Sequence, residues 1–389
     1  MQKHPAWSVV LFCNEFTRGA LFYTWLPLVV PHQTDVTLQW IGLCTTLQFA
    51  ADAFTKLCFG FISARLHGTA WVLRGGTFLA LLAAIAVLFV HQPVGLLVAS
   101  LVFGIGAASV WPAALANYSD AAESQRGASV AQAFLPWMAG TGAGMLITDF
   151  MAHALPLAQI LIIAAVAVDW IGSFFLHPRI VQKALSFHRE WSIIQVLGRR
   201  IRAFLPPMVL QTVVIGTITP FFAPFALYAL HLPPERYALF FLGIGAIAFL
   251  VLLPFGKISD KVGRLPLLTG AFVLASAGAF GLSGAQHLHA AILPAIAFAT
   301  AYGAVFPVWN AFFADHVPGW MRDRAVGVLT AVEDAGTAVG PLVGGIAWNW
   351  MGAPGPFVVA GSMMAVLAIY FGWWWVIGVT WNKAIATER

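Results

Sequence analysis

Apolar runs long enough to cross a bilayer recur along almost the whole chain, and no other feature of the sequence restricts the possible folds as much. About 20 mostly apolar residues in a helix span the hydrocarbon core. Twelve such runs can be placed, at 6–30, 37–62, 71–91, 93–117, 128–151, 154–176, 204–230, 236–256, 265–284, 290–313, 326–351 and 354–380. The breaks between them carry turn chemistry: VPHQTDV (30–36), HQPVG (91–95), HLPPERY (231–237), QHLH (286–289) and MGAPGP (351–356). Composition agrees. Hydrophobic residues make up 60% of the 389 residues and charged residues 9%, with a mean hydropathy of +0.84. A soluble domain carries about 25% charged residues. A core facing water cannot bury this much apolar surface, so the solvent is lipid and the chain reads as an all-α integral membrane protein of twelve transmembrane helices.

Lys and Arg set the orientation. With the N-terminus in the cytoplasm, seventeen of the twenty lie on or beside that side, six of them in the 177–203 connection. Only Arg236 falls outside, and Arg18 and Lys56 lie within spans. This positive-inside pattern places both termini in the cytoplasm. It also accounts for the net charge of +5 without nucleic acid, because the basic residues sit in short loops. The 177–203 connection interleaves apolar and basic residues and is expected to lie, partly helical, on the cytoplasmic leaflet. MQKHPAW leads into an apolar run longer than a signal-peptide core, so the first span is expected to be a membrane helix. Cys13, Cys44 and Cys58 all fall in apolar runs without ligand spacing and read as small buried hydrophobes.

The chain repeats in parallel. SVWPAALANYSDAAESQRGASV (109–130) aligns with PVWNAFFADHVPGWMRDRAVGV (307–328), pairing Trp111 with Trp309 and Arg126 with Arg324 at a spacing of 198. CFGFISARLHG aligns with PFGKISDKVGR, Gly60 on Gly256, at 196. This divides the chain into a six-helix half at 1–176, a cytoplasmic linker at 177–203 and a six-helix half at 204–389. Two such halves are the signature of a rocking secondary transporter with its site between them near the midplane. GKISDKVGRLPLL (256–268) resembles the signature loop of the major facilitator superfamily. In it Gly256 and Gly263 are expected to permit close helix approach and turning, Asp260 to meet a neighbouring helix N-terminus, and Lys261 and Arg264 to pin the cytoplasmic face, together forming a conformational latch. The first copy has Ala64 in place of the Asp. The resemblance covers the whole chain and implies the major facilitator fold.

Charges at membrane depth are costly unless paired or wet, and they mark candidate sites. Glu15 and Arg18 are i,i+3 on span 1, and Asp52 and Lys56 are i,i+4 on span 2, so each pair shares a helix face. Each is either a structural ion pair or part of the cavity. Asp149 falls near the outer end of span 5, where reaching water is easy. Asp169 lies nearer the inner side of span 6, and Glu333 and Asp334 lie in the cytoplasmic half of span 11. Spans 7 and 8, the counterparts of 1 and 2, hold no interior charge: Gln211 and Val214 correspond to Glu15 and Arg18. One half offers a polar pocket and the other an apolar one, which suits an amphipathic molecule such as a lipid. Trp111 and Trp137, on helices that flank the first-half cavity in this architecture, suit a sugar head, because indole faces stack on sugar C–H faces.

More narrowly, EFTRG (15–19), FAADAFT (49–55), VW (110–111), PWMAG (136–140), LPPMVLQ (205–211), YGAVFPVWNAFFA (302–314) and GPLVGG (340–345) resemble, in order, the lipoteichoic-acid glycolipid flippases of Gram-positive bacteria. These are proton-coupled antiporters that move a diacylglycerol-linked disaccharide to the outer leaflet. The resemblance implies substrate binding by Glu15, Arg18, Trp111 and Trp137, with Asp52 nearby. Lys56, Glu333 and Asp334 depart from the family, which carries neutral residues there. The resulting expectation is a plasma-membrane monomer that exports a glycolipid by alternating access, with protons as its coupled partner and the bilayer around it. Glu15, Asp52 or Glu333 would couple the proton. No cofactor is called for beyond the proton gradient. A proton-coupled multidrug or metabolite exporter of the same superfamily is the alternative.

Overall fold

The computed structural model describes residues 5–65, 68–118, 126–176, 205–316 and 322–387. These residues are helical apart from short connections, with no strand among them. The earlier part of the chain forms α1 (Pro5–Arg18), α2 (Val30–Gln33), α3 (Leu38–Arg65), α4 (Thr69–Phe89), α5 (Pro93–Ala107), α6 (Val110–Tyr118), α7 (Arg126–Phe150) and α8 (Leu155–Phe175). A π-helical stretch, Gly19–Val29, joins α1 to α2. The later part forms α9 (Leu205–Tyr228), α10 (Pro234–Val262), α11 (Arg264–Ser283), α12 (Leu288–His316), α13 (Arg322–Met351) and α14 (Gly355–Thr387). The linker expected at 177–203 lies outside the described residues.

Among the described residues, eight stretches are long and apolar enough to cross a bilayer by length and hydropathy, one of them, Pro93–Leu115, running across α5 and α6. The legs outside that set, Pro5–Gln33, α3, α7 and α13, are those that carry Glu15, Arg18, Asp52, Lys56, Thr141, Glu333 and Asp334. Successive legs alternate in direction. One end of the bundle, here the distal end, therefore carries the connections after Gln33, Phe89, Phe150, Tyr228, Ser283 and Met351. Pro5 and Thr387 lie at the opposite, proximal end. Leu, Ile, Val and Trp side chains such as Leu293, Ile369, Trp71 and Trp373 stand exposed on the outside, as lipid requires.

Helices of the earlier part pack on one another: α1 on α7 and α8, α3 on α5, α4 on α5 and α8. Those of the later part do likewise: α9 on α13 and α14, α10 on α12, α11 on α12 and α14. Without a hydrophobic drive between helices in lipid, close approach depends on small residues. Gly140 and Gly144, four apart on α7, lie against the Phe12 and Phe16 carbonyls of α1, where a Cβ would collide. Gly336, Gly340 and Gly344 on α13 do the same against α9. Among the described residues the main seams between the two groups are α3 on α13, the π-helical stretch on α9, and α7 on α10. In the first, Gly42 lies against the Pro341 carbonyl and Gly345 against Gln39. The later group is strongly apolar at its distal end, where Phe222 meets Phe225, Tyr237, Phe240 and Phe357 with ring centroids 5.8–6.5 Å apart.

Candidate functional site

Five charged side chains form a ladder across the bundle. Arg18 Nη2 lies 3.7 Å from Glu15 Oε1 on the same helix. The Arg18 guanidinium also grips Asp52 with both nitrogens, Nη2 to Oδ1 at 2.9 Å and Nη1 to Oδ2 at 3.3 Å. Lys56 Nζ lies 2.6 Å from Asp52 Oδ2 and donates to Asp334 Oδ2 at 3.1 Å. The i,i+3 and i,i+4 spacings put each helix's pair on one face, and the α3–α13 seam brings in Asp334. Glu15, Arg18 and Asp52 are buried, whereas the side chains of Lys56 and Asp334 are 15% and 22% exposed, so water reaches that end. Charges alternate along the ladder, and three carboxylates against two cations leave a net −1 when all are ionised.

The surroundings orient the ladder. The Arg18 guanidinium stands over the Phe49 ring, 5.7 Å from its centroid, and Phe49 stacks on Tyr23. Arg18 Nε has no hydrogen-bond partner. Thr141 Oγ1, on α7, donates to the Trp137 carbonyl at 3.1 Å and reaches Glu15 Oε2 at 3.5 Å. One turn before Thr141, Trp137 meets Trp111 of α6 at 6.4 Å between ring centroids, with Phe134 edge-on to both. The structure thus brings Glu15, Arg18 and Asp52 into contact and sets Trp111 and Trp137 together beside them. Glu333 is on the same turn of α13 as Asp334 but stays outside the ladder.

Three expectations need correction or completion. Asp149 does not reach water: it is fully buried, and neither carboxylate oxygen has a hydrogen-bond partner, because α10 packs over the distal end of α7. Asp169, placed by sequence nearer the inner side of span 6, accepts from Asn14 Nδ2 at 3.1 Å. In the glycine loop, Gly263 does make the turn, with φ +97°, a conformation that disfavours side chains. Gly256 makes no close approach, since a Cβ there would sit in ordinary contact with Pro307 Cβ at 3.6 Å. Asp260 pairs with Arg264 at 2.7 Å, and Arg264 holds Asp315 of α12 at 3.2 Å and also bonds Ser259. Lys261 is exposed. Sequence reasoning did not find the partnership of Lys56 with Asp334, nor Thr141. The residues are visible, but contacts spanning 278 and 126 positions are not.

Two helical groups meeting around a buried polar ladder define a membrane transporter. Residues 7–318 and 208–388 match the model of the Major Facilitator Superfamily, and the chain belongs to that superfamily. It is a multi-pass membrane transporter rather than an enzyme. Over 379 residues it is 28% identical to a protein of Staphylococcus saprophyticus named proton-coupled antiporter flippase LtaA, covering 95% of this chain and 93% of that one. The Staphylococcus aureus protein of that name is 24% identical over 95% and 94%. Among solved structures the nucleoside transporter NupG superposes with a TM-score of 0.74 at 13% identity, over 95% of this chain and 98% of that one. A D-xylose–proton symporter superposes with 0.70 at 16%, over 94% and 95%.

Proposed function

We propose that the chain is a proton-coupled antiporter that carries a glycolipid of the lipoteichoic-acid anchor type from the cytoplasmic to the outer leaflet of a Gram-positive cell membrane. The observation that carries this reading is the ladder of net charge −1, four of its five members in the earlier group beside two Trp and the fifth, Asp334, reached across the α3–α13 seam, against a later group that is aromatic and apolar at its distal end. A sugar head would stack on Trp111 and Trp137 and bond to Glu15 and Arg18, while acyl chains lie along α9, α10, α12 and α13. Similarity to the staphylococcal flippases over 95% of the chain supports the same substrate class. The termini would lie in the cytoplasm.

One proton brings the ladder to neutrality. Protonating Asp52 would neutralise the carboxylate that Arg18 and Lys56 share, leaving Arg18 only Glu15 at 3.7 Å and Lys56 only Asp334 at 3.1 Å, whereas protonating Glu15 leaves Arg18 its two-nitrogen grip on Asp52 and both cations in close pairs. Breaking a buried pair by neutralising one partner costs about 3–5 kcal/mol. Glu15 is therefore the better carrier and Asp52 the fixed anchor of Arg18. In the cycle the head group would take Arg18 while Glu15 is ionised, and the proton entering from outside would return the empty carrier.

The test is reconstitution in liposomes with a fluorescent diglucosyl-diacylglycerol and an imposed pH gradient. Gradient-driven flipping is expected from the unmodified protein, and Glu15→Ala or Arg18→Ala should abolish it. Flipping at the unmodified rate by Glu15→Ala would remove Glu15 from the site. Efflux of small cationic drugs with no lipid flipping would favour the exporter reading.

A further inference from the structure

Asp149 takes no part in the ladder, yet it is buried with less support than any member of it. It sits at the distal end of α7, wholly inaccessible, with both carboxylate oxygens unpartnered. The groups around it come from both halves of the molecule. The π-helical stretch presents the hydroxyl of Thr24, which itself donates to the Met145 carbonyl at 3.4 Å. α10 presents Tyr237, 2% exposed, whose hydroxyl also lacks a partner. Beyond α7, His153 Nδ1 lies 3.3 Å from Glu235 Oε1 at the head of α10, and this pair is exposed to solvent at the rim. His32 faces Tyr228, its Nε2 3.4 Å from the hydroxyl, and Arg236 is exposed on α10. No cation is paired with Asp149 among the described residues. A cavity of about 230 Å³ opens beside Tyr237 between the halves, walled by apolar groups such as Leu28, Val29, Ala223 and Leu227.

An ionised carboxylate enclosed this way, with neutral hydroxyls at best and no counter-ion, is strongly disfavoured. The same side chain would be unremarkable if α7 and α10 were apart, because it is the last residue but one of its helix and water would solvate it. The charge state of Asp149 is thereby tied to whether the α7–α10 seam is shut.

We propose that Asp149 is a proton-binding site at the distal seam, filled when the seam is closed and emptied when it opens. On closure the carboxylate takes one proton from hydronium in the distal water, forming an O–H bond and leaving water. On opening that proton returns to the same water. Acid on the distal side therefore favours the closed seam and alkali the open one. The inference rests on the alternating-access reading only in that the seam must open. It adds to the transport cycle a proton that gates the distal face, separate from the one that neutralises the ladder.

The test uses the full chain with Cys13, Cys44 and Cys58 replaced by Ser and spin labels at Gln92→Cys and Gln286→Cys. Both positions are exposed in distal connections, one in each half. Pulsed dipolar distances in lipid nanodiscs are read from acidic to alkaline buffer. With one group titrating, the closed-to-open ratio is expected to fall about tenfold per pH unit across the transition. Asp149→Asn should hold the seam closed throughout, and Asp149→Ser should also abolish the pH response, so that a folding failure of one variant leaves the other to decide. His153→Gln should retain the response, because the rim pair is solvated. The proposal is overturned if Asp149→Asn and Asp149→Ser titrate like the parent, if the parent shows no pH response, or if His153→Gln abolishes it. No lipid substrate is involved. A protein that gives the expected distances but flips no glycolipid would refute the substrate and leave the proton site standing.

Discussion

Asp52 holds Arg18 on one side and Lys56 on the other, and this ranks the consequences of substitution along the ladder. Arg18→Lys keeps the charge but loses the two-nitrogen grip, since a lysine presents a single point donor. Losing one hydrogen bond to a charged group costs about 1.5–3 kcal/mol. Unfolding of the detergent-solubilised protein should show that loss, and flipping should not recover relative to Arg18→Ala. Lys56→Gln leaves Asp334 without its cation, whereas Asp334→Asn leaves Lys56 still paired with Asp52. Lys56→Gln should therefore lower the melting temperature more than Asp334→Asn, and the double variant should cost less than the sum of the two. Equal, additive losses would mean the cross-seam pair contributes nothing. At this scale the sequence exposed the charges, because Glu15, Arg18, Asp52 and Lys56 interrupt apolar runs at helical spacing. It did not expose their partners. Asp149 was misread for the same reason: closeness to a helix end implies access to water only if no other helix covers that end, and α10 does.

Helices pair here wherever glycine removes a side chain from the line of approach. Gly144→Val should force α1 and α7 apart, because even a Cβ at that position meets the Phe16 carbonyl. Overpacking of this kind costs about 1–3 kcal/mol, measurable as lower thermal stability. Gly142→Ala, with nothing within 4 Å, is the matched control and should be neutral. In the α10–α11 turn, Gly263→Ala should cost about 1–3 kcal/mol for a side chain held at positive φ, while Gly256→Ala should be tolerated. Apolar runs and their breakers located the helices well, because in lipid a leg must be long, apolar and self-bonded. They could not show the interruption between α5 and α6 at residues 108–109 or the widened turns of Gly19–Val29. Those depend on what packs against the backbone, and Pro27 marks the second region only as irregular.

For the molecule as a whole, the proposed antiport carries an expected stoichiometry. A net charge of −1 is cancelled by one proton, so one coupled proton per lipid is expected. A reversal-potential measurement on proteoliposomes should find it, and two protons would bring in Glu333. The superfamily was legible from span number, the parallel repeat and the glycine loop, because these belong to the chain's own periodicities. The closed distal seam was not, since it reflects a balance between two arrangements of the same helices. The π-helical stretch bears on how that balance shifts. Its 11 residues are wound with i→i+5 bonds, more residues to each turn than an α-helix uses. It packs against α7 on its own side and α9 on the other. Rewinding even one of its turns to α geometry would lengthen the leg and rotate everything beyond it. The first leg therefore carries slack, like rope kept in a coil, and can lend length to the distal end without moving the anchored guanidinium of Arg18 at its base.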